Sequence, residues 1–407
     1  MKIKCLEYMK NFKCIGGACT DNCCVGWDVD LDIDTYSKYK NSPDSPLNKR
    51  FESDVIKNEN SFEEKVDYGQ MILKYGKKCP FLNDEMMCDI QICHGEDYLS
   101  KVCNGYPRIL NMVDKRAELS ATISCPEVAR MILTDKNSLN EIEIDYDISR
   151  LILRNQVNTE DENLKNHPAR YFNELREIAL ELIKNREYSF TDRVRLLGFL
   201  HNELLPLHAG GKLHDLPDAI SSFRSKLSRG HLDGRLRKMK PDYNIQVKYF
   251  AENTVVLDND SMTDSQSFGR LLKLAKKGLG IQDDTVSRKH KRIYAENMVE
   301  KVDTFFNENM HILENYIVNF MYSEMYPFSE EGDPYAGYTM LVIRIFLLKA
   351  VFAGLCASGK NLDIDYVIFV IQSFSKTLEH HKTYTSEFLY YMMEAEEDDL
   401  QFLMRLI

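Results

Sequence analysis

The chain has 407 residues, which exceeds the size of one ordinary hydrophobic core and predicts two or three domains. Apolar residues make up 44% and charged residues 28%, a composition typical of soluble globular proteins. The net charge of -11 excludes a general nucleic-acid-binding protein, which needs a basic face to neutralise phosphates. One basic run exists, and we interpret it as a solvated helix–loop surface: Arg224, Lys226, Arg229, Arg235, Arg237, Lys238 and Lys240.

The N-terminus carries charges throughout and has no apolar segment typical of a secretory signal. We therefore expect a cytoplasmic protein, and in the cytosol clustered cysteines usually indicate metal binding or catalysis. The most apolar stretch, residues 338–356, contains Arg344 and Lys349 and is interrupted by Gly354. It predicts a buried core helix rather than a membrane span.

Cysteine usage divides the chain. Ten of the 11 cysteines lie within the first 125 residues, and the rest of the chain contains only Cys356. The leading motif is Cys14-x4-Cys19-x3-Cys23-Cys24-x-Gly26-Trp27, followed by Cys79-Pro80, Cys88, Cys93, Cys103 and Cys125-Pro126. Thiolates are soft ligands that suit iron–sulfur clusters and zinc, and a four-iron cluster takes four cysteines, often with one followed by proline. The pattern predicts a cysteine-rich iron–sulfur module over residues 1–145.

The individual cysteines differ in their expected roles. A metal role is favoured for Cys14, Cys19, Cys23, Cys79, Cys88, Cys103 and Cys125. Cys24 directly follows Cys23, and neighbouring side chains diverge on an extended backbone, so one of the two is open to a role as a buried thiol or redox partner. Cys93 with His94 is either a ligand pair or an incidental thiol beside a hydrogen-bonded histidine. Cys5 and Cys356 are interpreted as buried apolar thiols.

From about residue 146 the pattern is helical, so we expect a mostly α fold in which a loop-rich cysteine module precedes a mainly α-helical substrate or partner region, residues 146–407. Apolar residues recur at three- and four-residue spacing in segments 169–186, 192–205, 267–279, 295–322, 338–357 and 386–406. Segment 242–258 is rich in β-branched and aromatic residues, and it is expected to hold a short hairpin or a linker.

Five segments make the sequence recognisable: FKCIGGACTDNCCVGWDVDLD, CPFL, CDIQ, HGEDYLSKVCNGYPR and ELSATISCPEVAR. In order and spacing, over residues 12–130, they resemble the flagellin lysine N-methylase family. The first three also resemble a broader zinc- or iron-chelating domain. The resemblance implies S-adenosylmethionine-dependent methylation of lysine ε-amines on flagellin, with a [4Fe–4S] cluster. The positions it carries over are Cys14, Cys19, Cys23, Cys24, Cys79, Cys88, Cys103 and Cys125, with Tyr106-Pro107-Arg108, whereas Cys93 lies outside the pattern.

Two common signatures of methyl-transfer enzymes are absent from the sequence. Gly278-Leu279-Gly280 lacks the third glycine and the preceding strand of a Rossmann cofactor loop. Gly26 stands where a radical C-x3-C-x2-C motif would have its third cysteine. One hypothesis is that a cluster iron without a cysteine ligand chelates the amino and carboxylate groups of S-adenosylmethionine. Arg108 is the candidate cofactor-binding residue, because a guanidinium can hold a carboxylate through two hydrogen bonds; a structural salt bridge is the open alternative.

The sequence does not identify the catalytic residues. Direct displacement needs a neutral lysine amine, whereas a free lysine has a pKa of about 10.4, so a base or desolvation is required unless a radical route operates. Module residues that carry suitable groups are Tyr75, Glu85, Asp89, Glu96, Asp97, Tyr98 and Glu127. The leading hypothesis is a protein-lysine methyltransferase acting on flagellin, without a nucleic-acid or membrane partner. The alternative is a non-catalytic iron- or zinc-binding module for metal carriage or sensing.

Overall fold

The computed structural model describes residues 1–136, 139–258, 266–282, 285–329, 332–379, 392 and 399–407. Short helices alternate with strands in the first part of the chain: α1 (Tyr8–Asn11), α2 (Ile33–Lys40), α3 (Asn48–Asp54), α4 (Glu64–Asp67), α5 (Asp89–His94), α6 (Lys101–Gly105) and α7 (Pro126–Thr134). The later helices are α8 (Phe172–Lys184), α9 (Phe190–Ala209), α10 (Leu216–Ser228), α11 (Asp233–Leu236), α12 (Tyr243–Asp258), α13 (Gln266–Leu279), α14 (Arg288–Asn297), α15 (Thr304–Glu308), α16 (Met310–Ser323), α17 (Pro334–Ala357), α18 (Ile364–Glu379) and α19 (Leu400–Leu406).

Two sheets lie in the N-terminal part. The strands are β1 (Lys2–Leu6), β2 (Asp30–Leu31), β3 (Val55–Lys57), β4 (Gly69–Met71), β5 (Arg108–Val113), β6 (Arg116–Ala121), β7 (Glu141–Asp145) and β8 (Leu153–Val157). The larger sheet is mixed, with the strand order β7-β1-β6-β5-β8, and the smaller one has the order β2-β4-β3. Strand β1 pairs in parallel with β6 and antiparallel with β7, so the first strand lies inside the larger sheet.

Strands β5 and β6 form a hairpin joined by two residues, Asp114 and Lys115. Both residues have positive φ angles, 48° and 67°, as the twist of a two-residue hairpin requires. On β6, Glu118 forms a two-pronged ion pair with Arg176 of α8, with N–O distances of 2.6 and 2.7 Å. Both side chains are 7% exposed, so this pair joins the sheet to the helical region in the interior.

One large hydrophobic core extends from the sheet into the helices. It includes Ile3 and Leu119 of the sheet, Leu182 of α8 and Phe346 of α17. Helix α17 is long and apolar enough to cross a membrane, yet 89% of its most apolar window is buried inside the fold. This burial confirms the core helix predicted for residues 338–356. A second, smaller core surrounds Tyr39, Phe51 and Phe81, close to several cysteines.

The expected hairpin or linker at residues 242–258 was wrong, because this segment forms helix α12. Its β-branched and aromatic residues favour a strand locally, but its apolar residues also repeat at helical spacing. Val247, Phe250 and Ala251 are fully buried on one face of the helix. Tertiary packing therefore decides the conformation.

Gly278 and Gly280, which do not fit a Rossmann cofactor loop, have a structural role. Gly278 lies within α13, and a Cβ atom added there would stand 2.2 Å from the carbonyl oxygen of Gly354 in α17. The two helices can approach this closely only because both positions lack a side chain. Gly280 follows the helix with a φ of +77°. The pair thus serves helix packing and helix termination, in agreement with the absence of a Rossmann loop from the sequence.

The expectation of a mostly α fold is confirmed for the described residues, whereas the separate loop-rich cysteine module is not. Residues 1–145 contribute most strands of both sheets, and β1, β5 and β6 share the large core with the helices. The division at residue 145 stays a prediction. Of the predicted helix at 386–406, only residues 392 and 399–407 are described, and α19 lies within them.

Candidate functional site

Five of the predicted cysteines come together beside the smaller core. Cys79 is 5% exposed and packs with Cys24, Cys88 and Cys103. A short antiparallel bridge sets Cys24 next to Cys79, because the N–H of Cys79 donates to the carbonyl of Cys24 at 2.8 Å. Cys23 interacts electrostatically with Cys24, Cys79, Cys88 and Cys103. We call these five residues the cysteine centre.

Burial and mutual repulsion determine how these thiols ionise. Burial, with a smaller contribution from neighbouring thiolates, raises the pKa of Cys79 to about 11 and that of Cys103 to about 12. A hydrogen bond between the two thiols lowers the pKa of Cys23 and raises that of Cys24 well above its ordinary value. For Cys88 burial also raises the pKa, but the N–H groups of Gln91 and Ile90 at the start of α5 oppose it. The protein therefore supplies N–H donors to sulfur as well as burial.

The other three predicted ligands flank this centre. Cys125, directly before α7, is buried, and its thiol interacts with those of Cys19 and Cys23. The Cys19 thiol donates to the carbonyl of Asp21 at 3.3 Å. Cys14 is exposed and accepts a hydrogen bond from the N–H of Gly16 at 3.4 Å. Within the described residues, no three or more His, Cys, Asp or Glu side chains stand in an arrangement that could hold a metal ion.

The remaining cysteines lie apart from the centre. Cys5 and Cys356 are buried, 3% and 1% exposed, in the large core, in agreement with their interpretation as apolar thiols. Cys93 is exposed. The neighbouring His94 hydrogen-bonds Ser45 at 2.7 Å and stacks on Tyr98 with ring centroids 4.3 Å apart. This geometry favours the interpretation of His94 as a hydrogen-bonded histidine, with Cys93 beside it as an incidental thiol, over a pair of metal ligands.

A charged contact that the sequence did not reveal joins α18 to the loop between Cys19 and Cys23. The ammonium of Lys376 lies 2.6 Å from Asp21, although its side chain is only 6% exposed. One turn earlier, the amide of Gln372 donates to Asp21 at 2.9 Å and to the carbonyl of Ser124 at 2.7 Å. Lys376 also lies 5.2 Å from the ring centroid of Trp27. Helix α18 thereby holds two cysteine-bearing segments, the one at Asp21 and the one that precedes Cys125.

A second residue that the sequence did not reveal, Arg50, joins the segments that carry Cys79 and Cys88. Its guanidinium lies 2.6 Å from Asp89, which follows Cys88, and it donates to the carbonyl of Pro80, which follows Cys79. A guanidinium can make two such contacts at once because its donors are fixed in a fork. No sequence spacing relates Arg50 or Lys376 to the cysteines, so only the fold reveals them.

Comparison with known proteins gives the family. The model of the FliB lysine N-methylase C-terminal domain matches residues 176–406, more than half of the chain. The chain belongs to this family. It is also 31% identical over 135 residues, 32% of its length, to the flagellar biosynthetic protein FliU of Salmonella muenchen, and the match covers 77% of that protein. The lysine-N-methylases of Salmonella choleraesuis and Salmonella typhimurium match at the same identity, and about a third of their length is covered. No solved structure matches the chain.

Helix α18 lies in the part of the chain that the family model matches. Residues 176–406 include α18, so Gln372 and Lys376 belong to the FliB-type C-terminal domain and contact the cysteine-bearing segments from there. The resemblance drawn from the cysteine motifs is thus confirmed by a match that covers the helical part, where no motif was recognised. No family motif is recognisable in the helical part by inspection, because the residues that identify the family there are spread over many core positions.

The other candidate residues lie outside the cysteine centre. Arg108 forms no ion pair with the described residues; its guanidinium lies 5.2 Å from the Phe12 ring and its buried Nε has no hydrogen-bond partner. Glu127 pairs with Arg130 at 2.6 Å, and Asp97 with Arg150 at 3.1 Å. Tyr75, Glu85 and Glu96 are exposed. None of these arrangements identifies a base for a lysine amine.

Proposed function

We propose that the protein is an S-adenosylmethionine-dependent lysine N-methylase that acts on flagellin and uses a cysteine-bound [4Fe–4S] cluster. The observation that carries the proposal is the contact of the FliB-type domain, through α18, with Asp21 and Ser124 in the cysteine-bearing segments. A lysine N-methylase family supplies the reaction class. The name of the similar FliU protein, a flagellar biosynthetic protein, supports a flagellar substrate.

The chemistry of the donor set fits an iron–sulfur cluster. Cys23, Cys24, Cys79, Cys88 and Cys103 offer soft thiolates, which suit iron–sulfur clusters. The carboxylates that act on them, Asp21 near Cys23 and Asp89 near Cys88, are each paired with a cation, Lys376 and Arg50. Three of these cysteines would hold three of the irons and leave the fourth iron without a cysteine ligand, and Cys125 and Cys19 are further candidates beside Cys23. When bound, such a cluster would supply an iron able to bind the amino and carboxylate groups of S-adenosylmethionine. The backbone N–H groups of Ile90 and Gln91, at the start of α5, favour the thiolate form of Cys88.

The protein's own residues would close the site. Trp27 has the ammonium of Lys376 over its ring and contacts Tyr106, with the two rings 5.0 Å apart. Trp27 packs against the smaller core, as Cys24 does, whereas Cys23 is exposed, so a bound group would have to cover Cys23. Exclusion of water strengthens the electrostatic interactions that orient a charged cofactor. Arg108, on β5 close to Tyr106, stays the candidate for a carboxylate, since its Nε has no partner in the described chain.

The decisive experiment is anaerobic incubation with purified flagellin and S-adenosylmethionine carrying a deuterated methyl group. Mass spectrometry of flagellin peptides should show labelled mono-, di- or trimethyl-lysine. Flagellin in which the lysines have been blocked by acetylation is the matched control and should remain unlabelled. Bound metal together with unlabelled native flagellin would contradict the proposed activity and would favour a non-catalytic metal-binding protein.

A further inference from the structure

A carboxylate at the end of α18, Glu379, lies beside the segment that precedes Cys125. Glu379 lies three residues after Lys376, the residue that contacts Asp21 and Trp27. The hydroxyl of Thr122 donates a hydrogen bond to Oε2 of Glu379, and Thr122 Oγ1 is 2.8 Å from Ser124 Oγ. Because Ser124 precedes Cys125, Glu379 lies at the edge of the cysteine-bearing segments.

The groups around Glu379 form a polar cluster with unused hydrogen-bonding capacity. Arg344 of α17 faces Glu379 and is 5% exposed, yet its Nε and Nη1 have no hydrogen-bond partner. The Tyr316 hydroxyl interacts with Ser375 and Arg344, and both interactions lower its pKa. Since buried polar groups are nearly always paired, the Nε and Nη1 donors of Arg344 remain for a ligand or ordered water.

Charges from several elements act on the Glu379 carboxyl group. Desolvation and, after it, the nearby carboxylate of Glu324 raise its pKa to about 7, although Arg344, Thr122 and Arg154 oppose the change. Tyr8 and Tyr316 complete the titratable groups that face it. By surface area Glu379 is half-buried.

We propose that Glu379 is the general base that removes the proton from the substrate lysine. The proposal rests on the proposed function and adds its catalytic residue. One N–H bond of the lysine ammonium breaks, and the proton passes to Oε1 of Glu379, the oxygen that Thr122 does not occupy. The nitrogen lone pair then forms a bond to the methyl carbon of the sulfonium donor. The carbon–sulfur bond breaks, and its electron pair stays on sulfur as a neutral thioether.

Arg344 supports this step as a positioning residue. Its cation disfavours a second positive charge nearby, so the lysine loses its proton more readily, and it stabilises the carboxylate form of Glu379 before the transfer. A base whose pKa lies near the working pH combines a useful ionised fraction with a useful driving force for proton transfer.

The test is the pH dependence of single-turnover flagellin methylation. The wild-type rate should rise with pH and level off above a pH of about 7, as the carboxyl group ionises. Glu379→Gln should lower the rate at pH 7 by about 10²- to 10⁴-fold. Its residual rate should keep rising about tenfold per pH unit, because only the free amine then reacts. Wild-type rate and pH profile in Glu379→Gln would overturn the proposal.

Glu324→Gln is the matched variant, since it removes a neighbouring carboxylate and leaves Glu379 in place. It should keep activity and move the levelling point to lower pH, because the charge that raises the pKa of Glu379 is gone. An unchanged levelling point would contradict the role of Glu379 even if Glu379→Gln failed to fold. If the wild-type protein itself does not methylate flagellin, the proposed function fails before the question of the base arises.

Discussion

At the scale of single residues, the cysteines divide according to their surroundings. Cys79 and Cys103 lie among other thiols, whereas Cys5 and Cys356 lie among apolar side chains of the large core. The sequence could predict this sorting, because motif spacing separates the two groups. It could not predict that Cys23 would be the thiol that interacts with Cys79, Cys88, Cys103 and Cys125, since that depends on distant chain segments meeting in space.

The sorting leads to a prediction about metal content. Replacing Cys19, Cys79 or Cys103 by Ser should lower the iron content and loosen the N-terminal region, because thiolate–metal bonds contribute folding free energy. Cys5→Ser and Cys356→Ala should keep wild-type iron content, with only a packing cost. Iron analysis and near-ultraviolet circular dichroism check this. Equal iron loss in both groups of variants would show that the two groups are not distinct.

At the scale of elements, helix α18 illustrates what a sequence does and does not contain. Its apolar spacing is readable, and Val370, Ile371 and Phe374 are fully buried. The roles of its polar residues cannot be predicted from the sequence. Lys376 has the sequence context of a surface lysine, but in the fold it is buried and pairs with Asp21. Contacts between residues more than 350 positions apart have no local signature, and the same holds for Glu379 and Thr122.

The contact between α18 and the cysteine-bearing loop predicts a stability effect. Lys376→Met keeps the length of the side chain but leaves Asp21 without its cation, and breaking a buried pair in this way costs about 3 kcal/mol. Urea denaturation of the metal-free protein measures the change. The double variant Asp21→Asn with Lys376→Met should recover much of the loss, because no charge is then left unpaired.

Arg292→Met is the control for this prediction. Arg292 forms an exposed ion pair with Glu296, with side chains 71% and 55% exposed. Pairs of this kind contribute only about 0.3–0.5 kcal/mol. A free energy of unfolding that falls equally in Lys376→Met and Arg292→Met would mean that the contact of α18 with Asp21 contributes little.

At the scale of the whole molecule, the mostly helical composition and the cysteine-rich N-terminal part were predictable, but their integration was not. Strand β1 lies between β6 and β7, and the sheet shares its core with helices from α8 to α18. Helical periodicity and cysteine spacing report local structure only. A chain that passes from a cysteine-rich part to a helical part is therefore predicted to form two separate domains. The two parts meet at Asp21, Ser124 and Gln372, next to the cysteine-bearing segments.

We propose that the gathered cysteines hold an iron–sulfur cluster, and elemental analysis tests this most directly. Protein purified without oxygen should contain about four iron and four acid-labile sulfide per cluster. Iron, zinc and sulfide are measured on the same sample, which is also assayed for flagellin methylation. One equivalent of zinc without labile sulfide, in a sample that methylates flagellin, would contradict the claim.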